Sequence, residues 1–389
     1  MKPPALRCWT EVDLSAFRHN LSRIRSLLPR GCEIMGVVKA NAYGHGLAET
    51  SRFLATRGVR IFLVANATEA EALLRAVPRA MALLAGPTVP GEIEWAVRRR
   101  GVIFALSDRE ELQRIERAAA RAGATATIHL KVDTGMGRIG CRTEEAVQLF
   151  MEVARSHRVC AAGLFSHMAR AEADPAECRR QLARLLQPVE ELERQGLDVG
   201  ALHIHNSAAV ANLDPNGRLT YARPGLALYG LGEPAAAWRR RLGGEALRPA
   251  LVWKTRVALI RDVPKGTAIS YGGTFRAPRR MRVGVLAAGY ADGVSRKLSN
   301  LGSVLVGGFR CPILGRVTMD MTMVDLSRVP DARWGDEAVL IGRQGGEEIT
   351  AREIAEQIGT ISYEVLCGIG VRVAREEGST RSSRSRMRS

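Results

Sequence analysis

The sequence predicts an α/β protein, with an N-terminal (β/α)8 barrel of the TIM type followed by a C-terminal mainly-β domain. Eight short apolar runs alternate with amphipathic stretches up to about residue 230. Beyond about residue 240, strand runs follow one another across Pro-Lys-Gly and Gly-Gly turns. Each early run has the length of a strand. Each also carries enough Val, Ile, Leu and Ala to be buried on both faces, as parallel strands are. Eight consecutive βα units favour a closed barrel over the alternative, an open doubly wound sheet.

In order, the runs are EIMGVVK (33–39), IFLVAN (61–66), MALLAG (81–86), GVIFALS (101–107), TIHLKVD (127–133), VCAAGLFSH (159–167), ALHIHNS (201–207) and one ending RPGLALYG (223–230). Helical spacing fills the gaps, as in EAEALLRAV (69–77), EELQRIERAAARAG (110–123), EEAVQLFMEVARS (144–156) and RRQLARLLQPVEELERQG (179–196). In the second half, MRVGVLAAGY, SVLVGGFRCPILGRV and EAVLIGRQGGEEI read as strands, and only EITAREIAEQIG (348–359) reads as a helix. The expected domains are a barrel over 10–240 and a β domain over 241–375, which residues 1–9 are candidates to join. The Ser/Arg-rich segment 376–389 has almost no apolar residues and is expected to be disordered.

Composition narrows the class. The chain has 389 residues, 46% of them hydrophobic and 25% charged, which is ordinary for a globular protein. No apolar run approaches the roughly 18 residues needed to span a bilayer. The N-terminus lacks the apolar core of a signal peptide, and seven scattered cysteines show no C-x-x-C pair, so a cytoplasmic location is expected. The net charge of +17 raises nucleic acid as a partner. Most arginines lie among glutamates on the helical segments, however, and no zinc-finger or RNP signature accompanies them, so neither nucleic acid nor membrane is expected.

In a barrel, functional groups gather at the C-terminal strand ends. Those ends carry Lys39, Lys131, Asp133 and the following Arg138, Ser166 and His167, His203 and His205 with Asn206 and Ser207, then Arg223 and Gly225. The set is rich in cations and hydrogen-bond donors, which suits an anionic ligand such as a phosphate. Lys39 closes an apolar run. Burial and nearby arginines disfavour its charged form and make its amine nucleophilic. A nucleophilic lysine, an anion site and a donor for an aromatic nitrogen are the parts of a Schiff-base site for pyridoxal 5'-phosphate. The competing reading of Lys39 is a surface residue. His203 and His205 also fit a metal pair on one strand face, but Asp133 is the only clearly acidic residue at the other strand ends, and no metal is expected. His129 reads as structural or solvent-facing, and Met321 and Met323 as core.

VVKANAYGHG, KVDTGMGRIG, HNSAA, RPGLALYG, ISYGGTF, GYADG and GRVTMD together resemble alanine racemase, a fold-type III pyridoxal-phosphate enzyme, from about residue 10 to 375. The resemblance implies a homodimer with shared active sites, racemisation of alanine by two bases, and supply of D-alanine for peptidoglycan. Lys39 would hold the cofactor, and Tyr43, Ser207, Gly225, Leu226 and Tyr363 its phosphate. His167 would lie against the ring, and Arg223 would donate to the ring nitrogen with His203 behind it. Arg138 would face the phenolic oxygen and the substrate carboxylate, steadied by Lys131, a lysine often carbamylated in this family. Lys39 and a Tyr271 from the other subunit would be the two bases, and Met319 and Tyr290 would limit the substrate side chain. Thr318 departs from the family pattern, which often has cysteine there. Serine or a broader range of amino acids, a related decarboxylase, and a non-catalytic carrier remain alternatives.

Overall fold

The computed structural model describes residues 6–214 and 216–377. They divide into two compact units, one formed by residues 16–42 and 46–248 and the other by the rest of the described chain.

The first unit is a ring of parallel strands. Its strands are β1, in two pieces (Glu33–Ile34 and Gly36–Val37), β2 (Ile61–Val64), β3 (Met81–Leu84), β4 (Val102–Leu106), β5 (Ala126–Asp133), β6 (Val159–Phe165), β7 (Ala201–Asn206) and β8 (Tyr221–Arg223). Neighbours pair in sequence order from β1 to β8. The break in β1 closes the ring. Gly36 and Val37 pair with Phe62 and Leu63 of β2, while Glu33 and Ile34 pair with Tyr221 and Ala222 of β8. Gly36 is needed at this seam, because a Cβ there would stand 2.8 Å from the Phe62 ring. The strand interiors are buried hydrophobics, among them Val37, Phe62, Leu83, Phe104, Ile128, Leu164 and Ile204.

The last apolar run differs from its expected form. β8 stops at Arg223, and Leu226–Tyr229 is a 3-10 turn. Pro224 supplies no N–H to continue a ladder, so the strand ends before it. The turn buries Tyr229, whose hydroxyl donates to the Val37 carbonyl at 2.6 Å. The outer helices include Arg109–Ala122, Thr143–Arg155 and Pro175–Arg194. Their arginines pair with glutamates, as in Arg109–Glu152, Arg121–Glu94 and Arg184–Glu177. No helix among the described residues is long and apolar enough to cross a membrane.

The second unit is built on the long strand Leu251–Val263. Cys8–Val12, Met281–Leu286 and Glu337–Gln344 all pair antiparallel to it. Ala374–Glu377 runs parallel to Trp9–Val12, so a strand takes in the first two residues of the segment 376–389; residues 378–389 lie outside the described residues. Val263, Ile269, Ala277, Met281, Val283 and Leu314 form one core cluster here, with Met323 packed on it. Met321 is instead exposed. A second short helix, Ser362–Cys367, follows Ala351–Ile358 and was not legible in the sequence.

Candidate active site

β1 delivers Lys39, half-buried, into a backbone few L-residues adopt. Ala40, Asn41, Ala42 and Tyr43 all have φ between 50 and 55°, one turn of left-handed helix without a glycine. Each such residue costs about 1–2 kcal/mol, so other contacts must hold the turn. The Glu69 carboxylate accepts from Ala40 N at 2.7 Å and from Ala65 N at 2.8 Å. Asn41 Oδ1 accepts from Leu47 N at 2.8 Å, and Ala42 N donates to Val38 O at 2.8 Å.

β5 supplies Lys131, whose Nζ is buried and donates to Val132 O at 2.8 Å and Ser166 Oγ at 3.4 Å. Burial, reinforced by the Arg223 charge, pushes its amine down to about 8, against the pull of Asp133. Asp133 shapes the loop that follows. Its carboxylate accepts from Gly135, Met136 and Gly137 N at 2.8–2.9 Å. Burial raises that carboxyl, but the three amides outweigh it and hold it below the ordinary range. The loop carries Arg138, which is exposed, and returns so tightly that a Cβ on Gly140 would meet Lys131 at 2.9 Å.

Arg223, at the end of β8, is fully buried and all its hydrogen-bond partners are neutral. It donates to Ser166 O at 2.6 Å, Ile204 O at 3.2 Å, His203 Nδ1 at 2.5 Å and His167 Nδ1 at 3.2 Å. Burial pulls the guanidinium down to about 9, so it keeps its charge at neutral pH. That charge fixes the tautomers behind it, because a guanidinium only donates. His203 Nδ1 must accept, so Nε2 bears the proton and donates to His129 Nδ1 at 2.9 Å. Burial and Arg223 push His129 down to about 4 and hold His203 well below the ordinary imidazole range, so the relay is neutral. Phe165 stacks on His203 at 4.7 Å and lies under Arg223 and Lys131 at 5.5 and 5.6 Å. His129 is thus a buried partner of the site. Its spacing of two from Lys131 on one strand face was the available signal.

His167 marks the centre. Burial first, then the charges of Arg223, Arg138, Lys131 and Lys39, push it down to about 3. Four cations from β1, β5 and β8 therefore surround one neutral imidazole. Ser207 joins from the end of β7, its Oγ accepting from Ala227 N at 3.2 Å beside Gly225 and Leu226. Asn206 caps the helix Ser207–Asn212 through Ala209 N at 3.0 Å and donates to Met168 O at 3.3 Å. His205 has a separate environment: its Nε2 has no partner among the described residues, and it lines a small cavity with Cys32, Leu213 and Asn216. His203 and His205 therefore share no ligand.

The second unit holds the other residues that the resemblance singles out. Tyr271 is 71% exposed on a turn whose Gly272 would place a Cβ 3.5 Å from the Arg316 guanidinium. Tyr43 packs edge-on against Tyr363, with ring centroids 5.5 Å apart. Gly44 permits this, because a Cβ there would stand 2.4 Å from Leu366 O. Tyr290 and Met319 are 43% and 53% exposed on two loops joined by Tyr290 N to Thr318 O at 2.9 Å and Ala291 N to Met319 O at 3.0 Å. Thr318 closes the second loop, its hydroxyl donating to Met321 O at 2.9 Å and accepting from Met321 N at 3.2 Å. A thiol, being a weaker donor and acceptor, would hold that turn less firmly.

A model of the alanine racemase N-terminal domain matches residues 12–233, and one of the C-terminal domain matches 250–377. The chain belongs to the alanine racemase family. It is 39% identical to alanine racemase of Halothermothrix orenii over 95% of this chain and 96% of that one. It is 43% identical to the Symbiobacterium thermophilum alanine racemase over 95% and 97%. A Clostridium difficile alanine racemase structure superposes with a TM-score of 0.89 at 33% identity, covering 95% of both chains. A Bacillus anthracis alanine racemase with bound L-Ala-P gives 0.88 at 35%, again over 95% of both. Alanine racemases are isomerases that use pyridoxal 5'-phosphate. The donor set fits that group. A buried cation with only neutral partners, three more cations around His167, and the Ser207 hydroxyl beside the Gly225–Leu226 turn suit an anionic, electron-rich ligand.

Proposed function

We propose that the chain interconverts L- and D-alanine at the mouth of its barrel, supplying D-alanine for peptidoglycan. The observation that supports this best is Arg223, a buried cation at a strand end whose hydrogen bonds all go to neutral acceptors. When bound, pyridoxal 5'-phosphate withdraws electrons from the amino acid and acidifies its Cα–H. Lys39 holds the cofactor through its amine. Ser207, the Gly225 and Leu226 amides, Tyr43 and Tyr363 bind phosphate without adding charge. Arg223 donates to the ring nitrogen and keeps its own proton, because even at about 9 it stays cationic at neutral pH. Arg138, with Lys131 beside it, binds the substrate carboxylate. Once the amino group of the substrate has displaced it from the cofactor, the freed Lys39 amine would move the Cα proton on one face and the Tyr271 hydroxyl on the other. Met319 and Tyr290 leave room for about a methyl group.

Tyr271 comes from a second copy of the chain in this reading, in a homodimer with two shared sites. The exposure of Tyr271, Tyr290, Met319 and Met321 supports that, since large apolar side chains left in water mark an interaction surface. Seven cysteines with free thiols support a reducing cytoplasm.

Incubation with L-alanine should yield D-alanine until the two are equal, and failure to form it refutes the reading. Borohydride reduction and peptide mapping should fix the cofactor mass on Lys39, and an adduct on another lysine overturns that assignment. Tyr271→Phe should slow proton abstraction from L-alanine far more than from D-alanine in single-turnover deuterium washout. Equal losses would argue against two bases.

A further inference from the structure

The loops carrying Tyr290 and Met319 meet at one guanidinium. Asp292, two residues after Tyr290, is buried, and both its oxygens are used. Oδ1 accepts from Arg372 Nε at 2.7 Å, while Oδ2 accepts from Arg372 Nη2 at 2.9 Å and Gly289 N at 2.8 Å. Arg372 Nη2 also reaches the turn after Thr318, donating to Asp320 Oδ1 at 2.8 Å and Met319 O at 3.4 Å.

We propose that Arg372 is a positioning residue that fixes the gap between Tyr290 and Met319, and so sets the size of side chain the racemase admits. The inference rests on the reading of those two residues as walls of the substrate pocket. Both are exposed within the chain, so packing inside the unit does little to locate them. Their positions follow from the two loops. The loops lie so close that a Cβ on Gly289 would stand 2.3 Å from Thr318 O, which leaves no slack for an independent shift of either. The guanidinium spans both loops, clasping the Asp292 carboxylate with Nε and Nη2 while Nη2 also holds the Met319 turn. Lysine, a point charge on a flexible stem, cannot make both contacts at once.

The test compares alanine with 2-aminobutyrate, one methylene longer, in the cofactor-loaded enzyme and in Arg372→Lys, Asp320→Asn and Met319→Ala. Arg372→Lys should raise the 2-aminobutyrate to alanine ratio of kcat/KM by about tenfold, mainly through KM, a range typical of one methylene in a pocket. Asp320→Asn keeps the Arg372–Asp292 pair and removes only the charge from the contact to the Met319 turn, the amide oxygen still accepting, so it should give a smaller rise of the same sign. It also serves as the readout should Arg372→Lys fail to fold. A lesion in general stability would lower both substrates together. An unchanged ratio in Arg372→Lys and Asp320→Asn therefore overturns the inference, whatever the absolute rates. Met319→Ala separates the two failures. A raised ratio there, with none in the other variants, leaves the pocket reading standing and rejects the clamp. No rise in any variant rejects the pocket reading itself.

Discussion

Lys131 is buried among cations that, with burial, outweigh the pull of the Asp133 carboxylate. Its amine is pushed down to about 8, so below that pH the folded protein carries a buried charge that the unfolded chain keeps in water. The unfolded lysine holds its proton up to about 10.4. Between those values the unfolded state binds more protons, so stability rises with pH there and the penalty is fully felt below about 8. The shift corresponds to about 3 kcal/mol. Lys131→Met should therefore be more stable than the unmodified protein at pH 7, by up to that order, with the gap narrowing by pH 10 in thermal melts. A neutral amine beside Arg138 and Arg223 also invites carbamylation, which would exchange the surplus cation for an anion. Bicarbonate at pH 8 should then raise the melting temperature of the parent chain and leave Lys131→Met unmoved. Several candidate residues were legible because strand ends can be read from hydrophobic runs: Lys39, His167 and Ser207 each end one, and Lys131 lies two residues before the end of another, whereas Arg223 was read inside the last run, where the strand in fact stops. Glu69 and Arg372 were not, since Glu69 acts on the Ala40 amide and Arg372 on the Asp292 and Asp320 carboxylates, all far away in sequence. Nothing near either residue announces that contact.

The element that sequence reasoning could not foresee is the left-handed turn after Lys39. Asn41 alone in Ala40–Tyr43 belongs to a residue type that tolerates positive φ, and the alanines on either side read as helix formers. What selects the conformation is tertiary. Glu69 takes the Ala40 and Ala65 amides together, and Asn41 takes that of Leu47. Glu69→Ala should leave both amides without their acceptor and cost about 1–3 kcal/mol, as lost hydrogen bonds to a charged group do. It should also lower turnover, because Lys39 is anchored on the first residue of that turn. Denaturant midpoints and initial rates would measure both effects, and Glu69→Gln should recover part of each. The helix Ser362–Cys367 escaped for a different reason: six residues are too few for a periodic pattern to stand out. The 3-10 turn at Leu226–Tyr229 was read as strand because its side chains are as apolar as a strand's, and the Pro224 stop signal was passed over.

At the scale of the molecule, the repeated βα alternation made the barrel legible, whereas its closure depends on the split first strand, a feature of register that composition cannot carry. The assembly is the larger question, because the two proposed bases lie in different units of the chain and the proposal draws Tyr271 from a second copy. A mixing experiment decides it. Lys39→Ala and Tyr271→Phe should each be nearly inactive alone. In a mixed dimer, one site would unite both lesions and the other would unite the intact Lys39 of one chain with the intact Tyr271 of its partner. Random exchange at equal amounts makes about half the dimers mixed, each with one good site of two, so about a quarter of the parent activity should return. If each chain instead completed its own site, every site in every dimer would keep one lesion and mixing would restore nothing. Exchange should be slow if the exposed Tyr271, Tyr290 and Met319 are buried between copies. Recovery should then follow the time course of subunit exchange, measured independently by native mass spectrometry of isotope-labelled and unlabelled chains.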